Sequence, residues 1–253
     1  MEISGLRAMV VGGASGMARA TAERIAAGGG KVAILDREGT AGAEVAAAIG
    51  GSWHPCDIMD FEGTEVVFNE AVQALGGLDA AVITAGGGIA ARTLSKDGPH
   101  PLDSFRRTVD LNLIGTFNLN RLQAWEMSKN DANADGERGV IINTASVSAF
   151  EGQIGQIAYS ASKGGVASMT LPAARELARQ GIRVVAIAPG IFDTPLLAGL
   201  PEPARVSLGQ QVPFPPRLGQ PAEFAAFARQ IIENEMLNGC VLRLDGALRM
   251  AAK

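Results

Sequence analysis

The feature that most constrains this chain is a succession of short β-branched runs with almost no polar alternation. "AMVV" (8–11), "VAIL" (32–35), "SWHPCD" (52–57), "AAVI" (80–83), "GVIINTAS" (139–146), "IRVVAIAPG" (182–190) and "GCVLRLDG" (239–246) recur between longer stretches of helical pattern. A strand with one solvated face alternates apolar and polar residues, whereas a strand covered on both faces stays apolar. The pattern therefore predicts a parallel sheet of about seven strands with helices on both faces. This is a doubly wound α/β fold. At 253 residues it suits one domain, 1–253.

Helices are expected from Gly16, over "TAGAEVAAAI" (40–49), from Phe61 to Leu75, from Ser104 to Lys129, and around Tyr159. Asp60 is the better-placed cap for the helix at Phe61. Three stretches read as surface insertions, 86–103, 127–139 and 191–221. The last is proline-rich and follows the C-terminal end of a strand, where open α/β sheets bind ligands. It is the candidate substrate lid, with a purely structural connection as the alternative.

The formal net charge is −4, its charges are dispersed, and no basic block appears, so no nucleic-acid partner is implied. Cys56 and Cys240 lie far apart without CxxC spacing, and His54 and His100 form no ligand cluster. Neither a metal site nor a disulfide is expected. No run of about 18 apolar residues exists, so no membrane span is expected. The opening "MEISGLRAMVVGG" enters a strand within a few residues, leaving no room for a signal or transit peptide. The expected compartment is the cytoplasm, or the mitochondrial matrix for a eukaryotic source.

"VVGGASGMARA" joins the first strand to the first helix. Gly12 and Gly16 suit a tight turn with close backbone approach, and the helix N-terminus offers free N–H groups to a pyrophosphate. Gly12, Ser15, Gly16 and Met17 are the candidate contacts there. Asp36 ends the second strand, twenty residues past Gly16. A carboxylate there accepts hydrogen bonds from ribose hydroxyls and repels the extra phosphate of NADP, so NAD is the expected cofactor despite Arg37. Asp57, ending the third strand, and Ile58 beside it are candidates for the adenine end.

"YSASKGG" (159–165) holds the only tyrosine, with a lysine four residues on and small residues around both. On a helix Tyr159 and Lys163 share a face. A nearby ammonium favours the phenolate and lowers the phenol's pKa, so the phenol can exchange a proton with an alcohol or carbonyl. Ser146, thirteen residues earlier at the end of the fifth strand, can bond the same substrate oxygen. Asn112 sits mid-helix in "DLNLIGTFN", where an amide is not a strong helix former.

These residues resemble the short-chain dehydrogenase/reductase family, which has a Rossmann-type fold and an Asn–Ser–Tyr–Lys tetrad. Asn112, Ser146, Tyr159 and Lys163 match it residue by residue. The glycine motif matches at Gly12 and Gly16, with Ala18 as its third position and Val11 before its first. The family's Asn-Asn-Ala-Gly reads Ile83-Thr84-Ala85-Gly86, making Thr84, Ala85 and Gly86 cofactor candidates. "APGIFDTP" matches the Pro-Gly segment, Pro189 and Gly190, with Ile191, Phe192 and Thr194 on the nicotinamide side. "NTASVSAFEGQIGQIAYSASKGG", "QVPFPPRLGQPAEFA" and "NGCVLRLDGALRM" further resemble the type 2 3-hydroxyacyl-CoA dehydrogenases, some of which also act on hydroxysteroids. The resemblance implies an NAD-linked oxidation of a 3-hydroxyacyl-CoA by a homotetramer. Tyr159 would be the base, Ser146 would orient the oxygen, and Lys163 would hold the nicotinamide ribose. Asn112 would position a relay water, and Gln153 would line the substrate pocket. Arg92, Lys96, Arg205 and Arg217 are candidate partners for the CoA phosphates. The alternatives are a hydroxysteroid or other secondary-alcohol dehydrogenase, and a non-catalytic NAD-binding scaffold.

Overall fold

The computed structural model describes residues 1–252, the side chains at 196 and 198 excepted; Lys253, the last residue of the expected domain, lies outside the described residues. Seven strands form one parallel sheet: β1 (Arg7–Val11), β2 (Lys31–Asp36), β3 (Ser52–Pro55), β4 (Ala80–Ile83), β7 (Gly139–Thr144), β8 (Ile182–Pro189) and β9 (Val241–Leu244). Their order across the sheet is β3-β2-β1-β4-β7-β8-β9. The order reverses beside β1, which opens a crevice at the C-terminal ends of β1 and β4. The expected strands all form, but several end early. Asp57 lies two residues beyond β3, Ser146 two beyond β7, and β9 stops at Leu244.

Both faces of the sheet are buried, which is why the runs lack alternation. Val10, Ile34, Val82, Ile142 and Ile187 meet α1 (Gly16–Ala27), α2 (Gly42–Ile49) and α9 (Pro221–Glu233). Met9, Leu35, Ile83, Ile141 and Val184 meet α3 (Phe61–Leu75), α5 (Gly115–Met127) and α6 (Ile157–Leu177). Asp60 does cap α3, accepting the Gly63 N–H at 3.0 Å.

The helix expected over 104–129 is not uniform. It runs as α4 (Leu102–Val109), a π-helical segment over Asp110–Ile114, then α5. Asn112 lies in the middle of the π segment and donates its amide back to the Thr108 carbonyl at 2.9 Å. Such side-chain competition for helix carbonyls accompanies a widened turn, and π segments recur at functional sites. Insertion 86–103 carries a small antiparallel hairpin, β5 (Leu94–Ser95) with β6 (Gly98–Pro99). The candidate lid carries two helices, α7 (Pro195–Ala198) and α8 (Glu202–Gln210). No helix among the described residues is long and apolar enough to cross a membrane.

At the opposite edge of the sheet, the Arg183 guanidinium on β8 is buried. It donates to Glu137 at 2.6 Å and to the carbonyls of Ile231 and Leu237 at 2.8 Å and Ile232 at 3.0 Å. Burial pushes the Glu137 carboxyl up and Arg183 opposes that shift. Arg183 thus supplies the donors that the C-terminal end of α9 lacks. Removing one partner of a buried pair leaves the other charge uncompensated. Arg183→Ala should therefore cost about 3–5 kcal/mol of unfolding free energy, measured by urea denaturation.

Candidate active site

The crevice begins with glycine. Gly12 has φ +83°, and a Cβ there would stand 2.8 Å from the Ala85 nitrogen, so no side chain fits between β1 and β4. Gly16 has φ +54° and opens α1, while Thr194 of the lid segment stands beside it. Ser15 precedes α1, is exposed, and leaves its hydroxyl uncommitted to capping its own helix. Met17 packs partly into the core. A cavity of about 530 Å³, lined by Gly16, Arg19, Thr194 and Pro195 among others, faces this helix N-terminus. The larger cavity, about 930 Å³, lies at the far edge near Met1 and Glu137, away from the reactive residues.

Asp36 ends β2 with its carboxylate oriented by two backbone donors, Ala14 at 3.0 Å and Arg37 at 2.8 Å. Two N–H bonds leave further lone pairs on the carboxylate. Asp57 is exposed and accepts the Met59 N–H at 3.0 Å, whereas Ile58 is buried and backs Gly115. Thr84 bonds across to Val11, and Ala85 stands against Gly12. Pro189 and Gly190 close β8, and Gly190 donates to the Leu244 carbonyl at 3.0 Å. Phe192 departs from expectation. Its ring is buried edge-on against Phe224 at 6.5 Å, which leaves only its backbone to face a ligand.

The four residues of the expected tetrad come together. Asn112 is fully buried and clasps Gly87 from both sides: its amide donates to the Gly87 carbonyl at 2.6 Å, and its Oδ1 accepts the Gly87 N–H at 2.9 Å. Gly86 separates this clasp from Lys163; a Cβ there would lie 2.6 Å from Asn112 Oδ1 and 3.3 Å from Lys163 Nζ. Lys163 Nζ donates to the Thr144 carbonyl at 2.7 Å and stands 5.8 Å from the centre of the Tyr159 ring. Ser146 starts a 3₁₀ turn over Val147–Ala149 and accepts the Ser148 N–H at 3.1 Å.

The electrostatics correct one expectation. Burial pushes the Tyr159 phenol up, and hydrogen bonding with the Ser146 side chain draws it partly back. The lysine does not lower it here, because its ammonium is committed to Thr144 and faces the ring rather than the hydroxyl. Burial instead pushes Lys163 down to about 8. Its charge is therefore easily lost.

Gln153 stands in the loop between Ser146 and Tyr159, but its amide donates to the Ala251 carbonyl at 3.2 Å. Of the expected CoA partners, Arg205 pairs with Asp193 at 2.6 Å and Arg217 forks onto Glu223 at 2.8 and 2.9 Å. Internal carboxylates have taken both guanidinium groups. Arg92 and Lys96 are exposed and form no ion pair among the described residues. Sequence reasoning did not single out Gly87, although it belongs to the run Gly86–Gly88. It also missed Thr144, which acts through its backbone carbonyl and so carries no residue-type signal.

A buried lysine, a phenol and a serine at the C-terminal edge of a parallel sheet, beside a glycine cradle, suit proton exchange with a carbinol next to a bound dinucleotide. The short chain dehydrogenase family profile matches residues 7–204. The chain belongs to the short-chain dehydrogenase family. It is 51% identical over 253 residues to 3-hydroxyacyl-CoA dehydrogenase type-2 of Bos taurus, covering 98% of this chain and 97% of that one. The Homo sapiens protein of the same name is 50% identical with the same coverage. Among solved structures, a 3-hydroxyacyl-CoA dehydrogenase type-2 from Mycobacterium avium superposes with a TM-score of 0.94 at 40% identity, covering 98% of both chains. A 7α-hydroxysteroid dehydrogenase in complex with NADH superposes with a TM-score of 0.85 at 28% identity, covering 98% of this chain and 96% of that one. This short-chain dehydrogenase therefore uses a nicotinamide cofactor. At Gly12, Gly16 and Gly86 a Cβ would meet strain or neighbouring atoms, so backbone lines the crevice there.

The lysine supplies a test of the burial argument. A lysine whose pKa is about 8 when folded, against an ordinary 10.5, is protonated more readily when unfolded between those values. Stability from this group should rise with pH across that window and be lowest below pH 8. Relative to Lys163→Met, the wild type should gain about 3 kcal/mol between the two limits, read from urea denaturation at each pH.

Proposed function

We propose that this short-chain dehydrogenase interconverts 3-hydroxyacyl-CoA and 3-oxoacyl-CoA with NAD as its cofactor, working as a homotetramer. The observation that carries the reading is the assembled Asn112–Ser146–Tyr159–Lys163 group in a chain half-identical, end to end, to relatives bearing that activity in their names. A bound nicotinamide supplies the acceptor of the carbinol hydride, and the donor in the reverse direction. Gly12, Ser15, Gly16 and Met17 would hold the pyrophosphate end, Asp36 the adenosine ribose, and Asp57 and Ile58 the adenine. Thr84, Ala85 and Gly86 would line the middle. Pro189, Gly190, Thr194 and the backbone of Phe192 would line the nicotinamide side, with Lys163 on its ribose.

In this reading the protein's own groups divide the work. Ser146 Oγ orients the substrate oxygen toward the phenol. Tyr159 Oη takes the hydroxyl proton. Lys163 stabilises the resulting phenolate. Asn112, beside Gly87, would position a relay water behind the lysine. Gln153, tied to Ala251, borders the substrate side. Ile114, at the end of the π segment, and Phe117 and Trp125 on α5, 41–70% exposed, support the assembly, because exposed apolar side chains favour burial between copies. A second reading, a hydroxysteroid dehydrogenase, is favoured only by the 28% identical steroid enzyme.

NAD should be preferred over NADP by at least about tenfold in kcat/KM, or about 1.4 kcal/mol, and Asp36→Ala should narrow the gap. Equal efficiency with the two cofactors would defeat this. Tyr159→Phe should lose about 10²–10⁴-fold in kcat while NADH affinity, followed by fluorescence titration, stays near wild type. For the substrate, acetoacetyl-CoA, a short simple thioester and a hydroxysteroid are to be compared by NADH absorbance. The CoA thioester should lead, its KM should rise with salt, and Arg92→Ala or Lys96→Ala should raise that KM but not the simple thioester's. A steroid with the higher kcat/KM would overturn the acyl-CoA assignment.

A further inference from the structure

The segment after β9 does more than end the chain. It turns through Gly246, with φ +58°, and Ala247, with φ +67°, the one non-glycine residue at positive φ among those described. Asp245 holds the turn by accepting the Ala247 N–H at 3.0 Å. From there the segment touches two separate parts of the chain, the candidate lid and the loop between Ser146 and Tyr159. On one side the Phe214 N–H donates to the Gly246 carbonyl at 3.2 Å, in the candidate lid. On the other, the Ile154 N–H donates to the Ala252 carbonyl at 3.0 Å, and Gln153 donates to Ala251.

An ion-pair cluster locks this second contact. Arg243 forks onto Glu151 at 2.8 and 3.0 Å, bonds Asp245 at 2.6 Å, and donates to the Leu248 carbonyl at 2.9 Å. Its guanidinium also stands 5.5 Å from the centre of the Phe150 ring. Arg249 adds a contact to Glu151 at 3.3 Å. Arg243 holds the Glu151 carboxyl below the usual carboxylate range, so the pair is charged at neutral pH. A bidentate fork in a partly buried network is the geometry in which ion pairs hold position.

The loop so held is the covalent link between Ser146 and Tyr159. Its other side accepts the Ala91 N–H at the Gly155 carbonyl, 2.8 Å, and Gly88 lies against the Tyr159 ring. The residues fixed by the tail, Ile154 and Phe214, are themselves apolar and 51% and 79% exposed. The tail therefore ties together two apolar side chains from these two parts.

We propose that residues 245–252 are a brace that sets the spacing between the loop bearing Ile154 and the lid segment bearing Phe214, with Glu151 and Arg243 as its positioning residues, and that this spacing selects the acyl chain. The inference rests on the acyl-thioester reading above for its substrate, but not for its mechanics. Neither Arg243 nor Glu151 bonds to a residue of the tetrad.

The test uses the full-length protein and the variants Arg243→Gln, Glu151→Gln, their double variant, and Arg243→Lys. Hydrogen exchange should speed up together in 150–156 and 246–252 of Arg243→Gln, and stay unchanged in 102–110. The ratio of kcat/KM for a long 3-oxoacyl-CoA to that for acetoacetyl-CoA should change by about tenfold, carried by KM, with saturated kcat and NADH affinity within about twofold. The double variant should be no worse than either single one, and Arg243→Lys should recover part of the ratio. Unchanged exchange in both segments overturns the brace. Faster exchange with an unchanged chain-length ratio reduces the tail to a structural element and overturns the selection. Should the wild type reduce no acyl-CoA but another ketone, the substrate reading fails; the brace then stands or falls on exchange and on the KM for that ketone.

Discussion

One ammonium group withdrawn from water governs the reactive edge. Lys163 is 3% exposed, and the Thr144 carbonyl is its one hydrogen-bond partner within the described protein. A charge so placed is costly unless something negative arrives to share it. That cost explains the small residues around it. Gly86 must be glycine-sized for the lysine and Asn112 to stand where they do. Asn112 must then spend its amide on Gly87 and Thr108, and the helix widens to let it. The phenol, half-buried, is left with Ser146 as its neighbour in hydrogen bonding. Rigid strands β7 and β8 fix all of this, since Thr144 ends the one and Pro189 the other.

The fold was legible because burial on both faces of a sheet erases polar alternation, and that erasure is visible residue by residue. Val10 and Val11 point to opposite faces and are both buried, so "AMVV" could not have been an edge ribbon. The tetrad was legible for a different reason. Tyr159 and Lys163 are bound by helical spacing, and Ser146 by its place just after a strand, so local geometry alone brings two of them together.

What escaped the sequence involves partners distant in the chain. That Arg205 and Arg217 are occupied by Asp193 and Glu223 could not be read from their own positions. Phe192 sits in a motif that suggests ligand contact, yet its ring is drawn into the core by Phe224, a residue of α9. The phenol's pKa was misjudged because pairing was counted and burial was not. The π segment at Asn112 arises from a side-chain hydrogen bond that competes with the backbone, and propensity scales do not record which alternative wins.

The buried Arg183–Glu137 pair has a consequence of another kind. It anchors the foot of β8, while Pro189 and Gly190 occupy its head, a full strand away. Foldability is thus secured at one rim and chemistry conducted at the other, with a rigid apolar slab between them. Loops on the working rim can be rewritten without reopening the question of whether the chain folds. A lineage built this way is free to wander among alcohols, trading one substrate for another, while its architecture stays still.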